Sequence, residues 1–113
     1  MNISDTIYKL LENINNVYEG WYREELKETH TTFIIYYTSP TEFEDDDNSK
    51  EYICFQIDTW GEDKESVDSQ YKKVRKILKE NGFCWMESNR DYETYTKIYH
   101  YADRFCVIVD YED

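Results

Sequence analysis

The sequence predicts an α+β fold of order α-β-β-α-β-β: an antiparallel four-stranded sheet with two helices packed on one face. Two stretches carry apolar residues at helical spacing. The segments around them alternate with period two or are dense in β-branched and aromatic residues, which pack well on a pleated surface. Runs of strands with helices set apart from them form two layers around one core. A chain of 113 residues is close to the usual size of one domain, so residues 1–113 are taken as a single unit.

The first helix is expected over residues 5–18, where Ile7, Leu10, Leu11, Ile14 and Val17 fall on one stripe with Ile3 just upstream. Ser4 would cap it, Asp5 suits the positive end of its dipole, and Gly20 would stop it. Thr31 to Thr38 is the first strand, ended by Ser39-Pro40. Residues 51–60 form the second, with Ile53, Phe55 and Ile57 pointing to the core and Cys54, Gln56 and Asp58 pointing away. The acidic stretch between them, 41–50, reads as a solvated, mobile hairpin loop because adjacent like charges repel.

Gly61 breaks the second strand, and Asp63 can cap a helix running to about Asn81. Val67, Tyr71, Val74, Ile77 and Leu78 make its apolar stripe, and Asn81-Gly82 ends it. Phe83 to Ser88 reads as a short strand and Asn89-Arg90-Asp91 as a turn. A long strand is then expected from Tyr92 to Tyr111, with Tyr95, Lys97, Tyr99 and Tyr101 sharing a face. Parity continues through Ala102-Asp103, which could mark a bend.

Charge and composition exclude several classes of function. The chain has 25 Asp+Glu against 13 Lys+Arg, a formal net charge of −12. That balance opposes a groove that holds nucleic acid by neutralising phosphates, so no sequence-specific nucleic-acid binding is expected. Twelve tyrosines and 40% hydrophobic residues separate it from disordered acidic chains. The first residues lack the basic and apolar regions of a secretory signal, and no window approaches the ~20 apolar residues of a membrane span. Cys54, Cys84 and Cys106 are odd in number and widely spaced. They are expected as three buried thiols in a reducing compartment.

No catalytic constellation is visible, and neither an enzymatic activity nor a cofactor is expected. Cys-x-x-Cys and His-Glu-x-x-His are missing, and His30 and His100 lie far apart in sequence. Glu44, Asp45, Asp46 and Asp47 lack the spaced ligands and central glycine of a calcium loop, so no metal site is expected. Cys106 sits in a core-like run, and His100 on a tyrosine-rich strand suits cross-strand pairing or a surface role.

Two surface features carry the functional reading. Lys72, Lys73, Arg75, Lys76 and Lys79 gather much of the positive charge on the second helix. They form either a solvated face with i,i+4 pairing or a patch that meets an acidic neighbour. Tyr36, Tyr37, Tyr52, Tyr95, Tyr99 and Tyr101 exceed what a small core can bury with satisfied hydroxyls. They suit either a protein interface or cross-strand aromatic ladders. Tyr95, Tyr99 and Tyr101, with the basic residues, are the subunit-interface candidates; Glu44 to Asp47 are candidates for loop contacts.

The junction Phe55-Gln56-Ile57-Asp58-Thr59-Trp60-Gly61-Glu62-Asp63, the Asn81-Gly82-Phe83 helix end and the closing Arg104-Phe105-Cys106-Val107-Ile108-Val109 strand belong to a pattern covering nearly the whole chain. It resembles the tail-terminator and head–tail joining (tail completion) proteins of long-tailed bacteriophages and Gram-positive prophages. The resemblance implies a virion protein, made in the bacterial host cytoplasm, that assembles as a ring, commonly of six copies. Such a ring stops tail-tube growth and joins tail to head, so the implied partners are like copies, the tail tube protein and a head-side connector protein. An acidic lumen would repel passing DNA. The competing class is an acidic DNA mimic that inhibits a nuclease, against which the clustering of cations on one helix counts.

Overall fold

The computed structural model describes residues 2–25, 27–41 and 50–110. Its elements are α1 (Ile3–Leu10), β1 (Val17–Glu19), β2 (His30–Pro40), β3 (Lys50–Gly61), α2 (Lys64–Glu80), β4 (Cys84–Glu93) and β5 (Ile98–Asp110). The fold is α+β, as expected, but the sheet has five strands in the order β1-β2-β3-β5-β4. It is also mixed: β1 runs parallel to β2 while every other pairing is antiparallel.

The extra strand comes out of the expected first helix. Asn2, rather than Ser4, caps α1, its side chain accepting from the Asp5 amide at 2.8 Å. The helix ends at Leu10 because Asn13, Asn15 and Asn16 follow, and asparagine side chains compete for backbone hydrogen bonds. Asn16 turns the chain with φ 61°, a left-handed conformation that asparagine tolerates. Ile14 and Val17 still pack against the core, which is why they continue an apolar stripe. Gly20 therefore follows a strand and stops no helix. Residues 20–25 and 27–29 belong to the crossover that returns the chain to β2, since parallel neighbours cannot be joined by a tight turn.

The second helix matches its sequence signals closely. Asp63 caps α2, accepting from the Ser66 hydroxyl at 2.6 Å and the Ser66 amide at 3.0 Å, and these two bonds, the hydroxyl's first, hold its carboxyl below the usual range. At the other end the Phe83 amide donates to Leu78 at 3.1 Å and the Gly82 amide to Lys79 at 3.3 Å. With Gly82 at φ 87°, this is a Schellman termination.

Both helices cover the same sheet face. Ile7 and Leu11 from the α1 region and Val74 and Leu78 from α2 meet Phe33, Phe55, Ile57, Phe83 and Phe105 in one buried cluster. Phe55 lies at its centre, stacked on Phe105 at 6.0 Å and edge-on to Phe83 at 5.6 Å. A smaller cluster of Val67, Tyr71 and Tyr101 extends the layer toward the start of α2.

The last hairpin turns later than expected. Asn89, Arg90 and Asp91 are strand residues paired with Ala102, Tyr101 and His100, and the turn lies at 94–97 with Lys97 at φ 63°. Tyr95 and Lys97 thus leave the strand and do not share a face with Tyr99 and Tyr101. Ala102 and Asp103 produce no bend; β5 pairs with β3 continuously from Tyr99 to Asp110. Register shifts occur instead between Ile35 and Tyr37 and between Trp85 and Glu87.

The cysteines also differ from expectation. Cys54 and Cys106 face each other across β3 and β5 and form a disulfide, while Cys84 is free and exposed. Period-two spacing placed Cys54 on the outward face. Cys106 occupies the matching position on the neighbouring strand, a coincidence visible only once the register is known.

Candidate functional site

The expected basic face of α2 divides in two. Lys72, Arg75, Lys76 and Lys79, with Glu80, border one shallow hollow. Lys73 lies on the opposite flank beside Asp63, Glu65 and Gln70. Lys72 pairs with Asp68 at 2.9 Å, an i,i+4 pair that lowers the Asp68 pKa, and Arg90 reaches the same carboxylate at 4.0 Å.

Arg75 is anchored rather than free. Its Nε donates to Asp103 at 2.9 Å, and Asp103, 2% exposed, also accepts from Tyr71 at 2.7 Å and Trp85 Nε1 at 3.3 Å. Arg75 also donates to the Tyr71 hydroxyl. The guanidinium lies 3.9 Å from the centre of the Trp85 ring and 4.6 Å from that of Tyr71, while Lys79 sits 5.3 Å from Trp85. Pairing with Asp103 raises the Arg75 pKa further, and burial and Asp103 raise that of Tyr71. This cluster locks α2 to β5 and β4 and presents a fixed cationic ridge. Beside it lies β4, a sheet edge whose Trp85 and Met86 are exposed.

The tyrosine candidates do not form one patch. Tyr101 is buried against Val67 and Tyr71, 4% exposed, and is not part of the protomer's surface. Tyr99 packs beside that cluster and against Tyr92 at 4.6 Å, a cross-strand pair. Tyr95, at the hairpin turn, is 99% exposed. On the other side of the sheet Tyr36 lies under Arg104 at 4.8 Å, and Tyr37 meets Tyr52 at 6.2 Å. Glu44, Asp45, Asp46 and Asp47 lie outside the described residues.

A polar cluster that sequence reasoning missed occupies the sheet face away from the helices. Asp58, fully buried, lies 2.7 Å from His100 Nε2 and accepts from Gln56 at 3.0 Å. His100 stacks on Trp60 at 3.6 Å with the rings 9° apart, and Trp60 Nε1 donates to Thr32. Trp21, carried over this face by the crossover between β1 and β2, lies edge-on to both rings at 5.1 and 5.8 Å. The signal was present in Asp58, Trp60 and His100 sharing a strand face. What was lacking was the crossover that covers them. His100 thus makes the cross-strand pairing that was one of its two expected roles. Among the described residues no group of three or more His, Cys, Asp or Glu side chains could hold a metal ion.

His30, also under the crossover, is held neutral. Glu28 O lies 3.1 Å from its Nδ1, while its Nε2 faces the Arg23 amide at 3.4 Å, so Nδ1 carries the proton and Nε2 accepts. Burial lowers its pKa accordingly. Below the ordinary value of 6.5 the unfolded chain binds a proton that the folded one refuses, so stability falls on acidification until the folded residue also titrates. Urea unfolding between about pH 7 and about pH 5 should show a steeper loss for the wild type than for His30→Phe, which keeps the ring and cannot titrate. Equal slopes would show that His30 is not held neutral.

No helix among the described residues is long and apolar enough to cross a membrane. No protein-family model matches the sequence, and no curated protein matches it. The fold does have a counterpart among solved structures. A chain in the virion of a native gene transfer agent particle superposes with a TM-score of 0.61 at 10% identity, over 93% of this chain and 84% of that one.

Proposed function

We propose that this protein is a structural component of a phage-like virion, acting as a tail terminator or head–tail joining protein at the head-proximal end of the tail tube. The observation that carries the reading is the likeness of its fold, over most of both chains, to a chain of a gene transfer agent virion. The sequence resemblance to tail-completion proteins agrees with it. In this reading the protein is an assembly part without catalytic activity. It forms a ring with copies of itself and contacts the tail tube protein on one side and a head-side connector on the other.

A closed ring needs two different patches on each subunit. The ridge of Lys72, Arg75, Lys76 and Lys79 with the adjoining β4 edge supplies one; an acidic surface of the next copy supplies the other. On a protomer of net charge −12, such a contact offsets repulsion between like copies and sets their register.

The decisive experiment is deletion of the gene in its phage, followed by electron microscopy. Abnormally long tails, or heads and tails left unjoined, are expected; normal virions would remove the reading. Complementation with Lys76→Glu/Lys79→Glu, two exposed positions, should reduce joined particles at least about tenfold while the protomer stays folded. A protein that instead competes with DNA for a nuclease, and whose deletion leaves virions intact, would be the acidic mimic.

A further inference from the structure

The three cysteines lie in one row across three adjacent strands. Cys54 of β3 pairs with Cys106 of β5, and Cys106 pairs on its other side with Cys84 of β4. All three occupy the face away from the helices. Cys54 follows the parity of Gln56 and Asp58, Cys106 that of Arg104, and Cys84 precedes Trp85, which packs on the helix side under Arg75.

The spacing of the row follows from sheet geometry. Cys54 and Cys106 have Cα atoms 4.1 Å apart, the narrow pair of an antiparallel ladder. The backbone polar groups of Cys106 therefore point to β4, which makes Cys84 and Cys106 a wide pair. Wide pairs have Cα atoms about 5.5 Å apart, within the range of about 4.4–6.8 Å that disulfides span. By this spacing Cys84 also lies within bonding range of Cys106 without a strand having to move. The nucleophile, the attacked sulfur and the leaving sulfur also follow one another along the row, the order a displacement at sulfur requires.

We propose that this row is a thiol–disulfide exchange site whose substrate is the protein's own Cys54–Cys106 bond. The Cys84 thiolate attacks Cys106 Sγ, the Cys84–Cys106 bond forms as the Cys54–Cys106 bond breaks, and Cys54 leaves as a thiolate that takes up the proton Cys84 released. Nothing is oxidised or reduced overall. The exchange moves the covalent tie from the central strands to the β4–β5 hairpin. The Cys54–Cys106 bond, between residues 52 apart in sequence, is the one the folded structure holds and is therefore the major form.

Disulfide mapping tests this. Wild-type protein is held at about pH 8.5, where thiolate is plentiful, without reductant, then quenched with acid, labelled with N-ethylmaleimide and digested. Two isomers are expected: Cys54–Cys106 with Cys84 labelled, and a minor Cys84–Cys106 with Cys54 labelled. Cys84→Ala should lower Cys54 labelling at least about tenfold, since its only internal attacker is gone. Cys54→Ala or Cys54→Ser, shown to be folded by circular dichroism and treated with oxidised glutathione, should form Cys84–Cys106. The proposal is overturned if wild type labels only at Cys84, if all three cysteines label after oxidised glutathione, or if the folded Cys54 variants leave Cys84 and Cys106 both labelled.

Discussion

Replacing Asp103 with alanine should cost the fold about 3–5 kcal/mol, the usual result of removing one partner from a buried ion pair. Asp103 is almost wholly enclosed and takes hydrogen bonds from Tyr71, Arg75 and Trp85. Truncation leaves the Arg75 guanidinium between two aromatic rings with no counter-charge, and two further donors without an acceptor. Asp103→Asn keeps the volume and one acceptor, so it should lie between alanine and wild type. Urea unfolding followed by circular dichroism measures both. A loss below about 1 kcal/mol for Asp103→Ala would put the carboxylate in contact with water, in the range of exposed pairs. Since Asp103 also fixes Arg75, the variant should weaken any assembly through the cationic ridge.

Gly61→Val should be the other severe substitution. A Cβ at this position would stand 2.8 Å from Thr29 Oγ1, 2.8 Å from Val67 Cγ2 and 3.2 Å from the Thr29 Cα. Thr29 belongs to the crossover and Val67 to the first turns of α2, so the added carbons drive apart two segments that both pack against the end of β3. Overpacking of this kind costs about 1–3 kcal/mol, with valine at the upper end and alanine at the lower. The contact with Val67 can be isolated by a double-mutant cycle. Gly61→Ala in a Val67→Ala background should cost less than in the wild type, because the shortened side chain makes room. Strict additivity would mean that the strain is taken up by Thr29 instead.

What could be read from the sequence follows from how local each signal is. The cap, stripe and stop of α2 all lie within its own turns, and Asp63, Leu78 and Gly82 act as their residue types suggest. The alternation of Ile53, Phe55 and Ile57 likewise identified the face of β3 that meets the helices. Errors arose where residues answer to distant partners. Val17 continues a helical stripe only because the chain doubles back and brings it to the same core by another route. Asp103 has the parity of Tyr101 and Phe105 and therefore faces inward, yet only Arg75 and Tyr71 on α2 make a buried carboxylate tolerable. Trp21 and Tyr22 carry no periodic signal, so the covering of Asp58, Trp60 and His100 could not be foreseen. Of the interface candidates, Lys72, Lys76 and Lys79 lie exposed along one ridge, whereas Tyr101 shares the inward parity of Phe105 and is covered by Val67 and Tyr71 of α2.

The pairing of β3 with β5 bears on how the chain reaches its folded state. Each strand has a close neighbour in sequence, β2 for one and β4 for the other, so two small antiparallel units can close early at little entropic cost. The seam between them cannot form until α2 and β4 have been made, and Phe55 and Phe105 meet only across it. That seam joins residues far apart in sequence, and long-range pairing of this kind slows folding. A ribosome that has released only β3 exposes one apolar half-face with no mate.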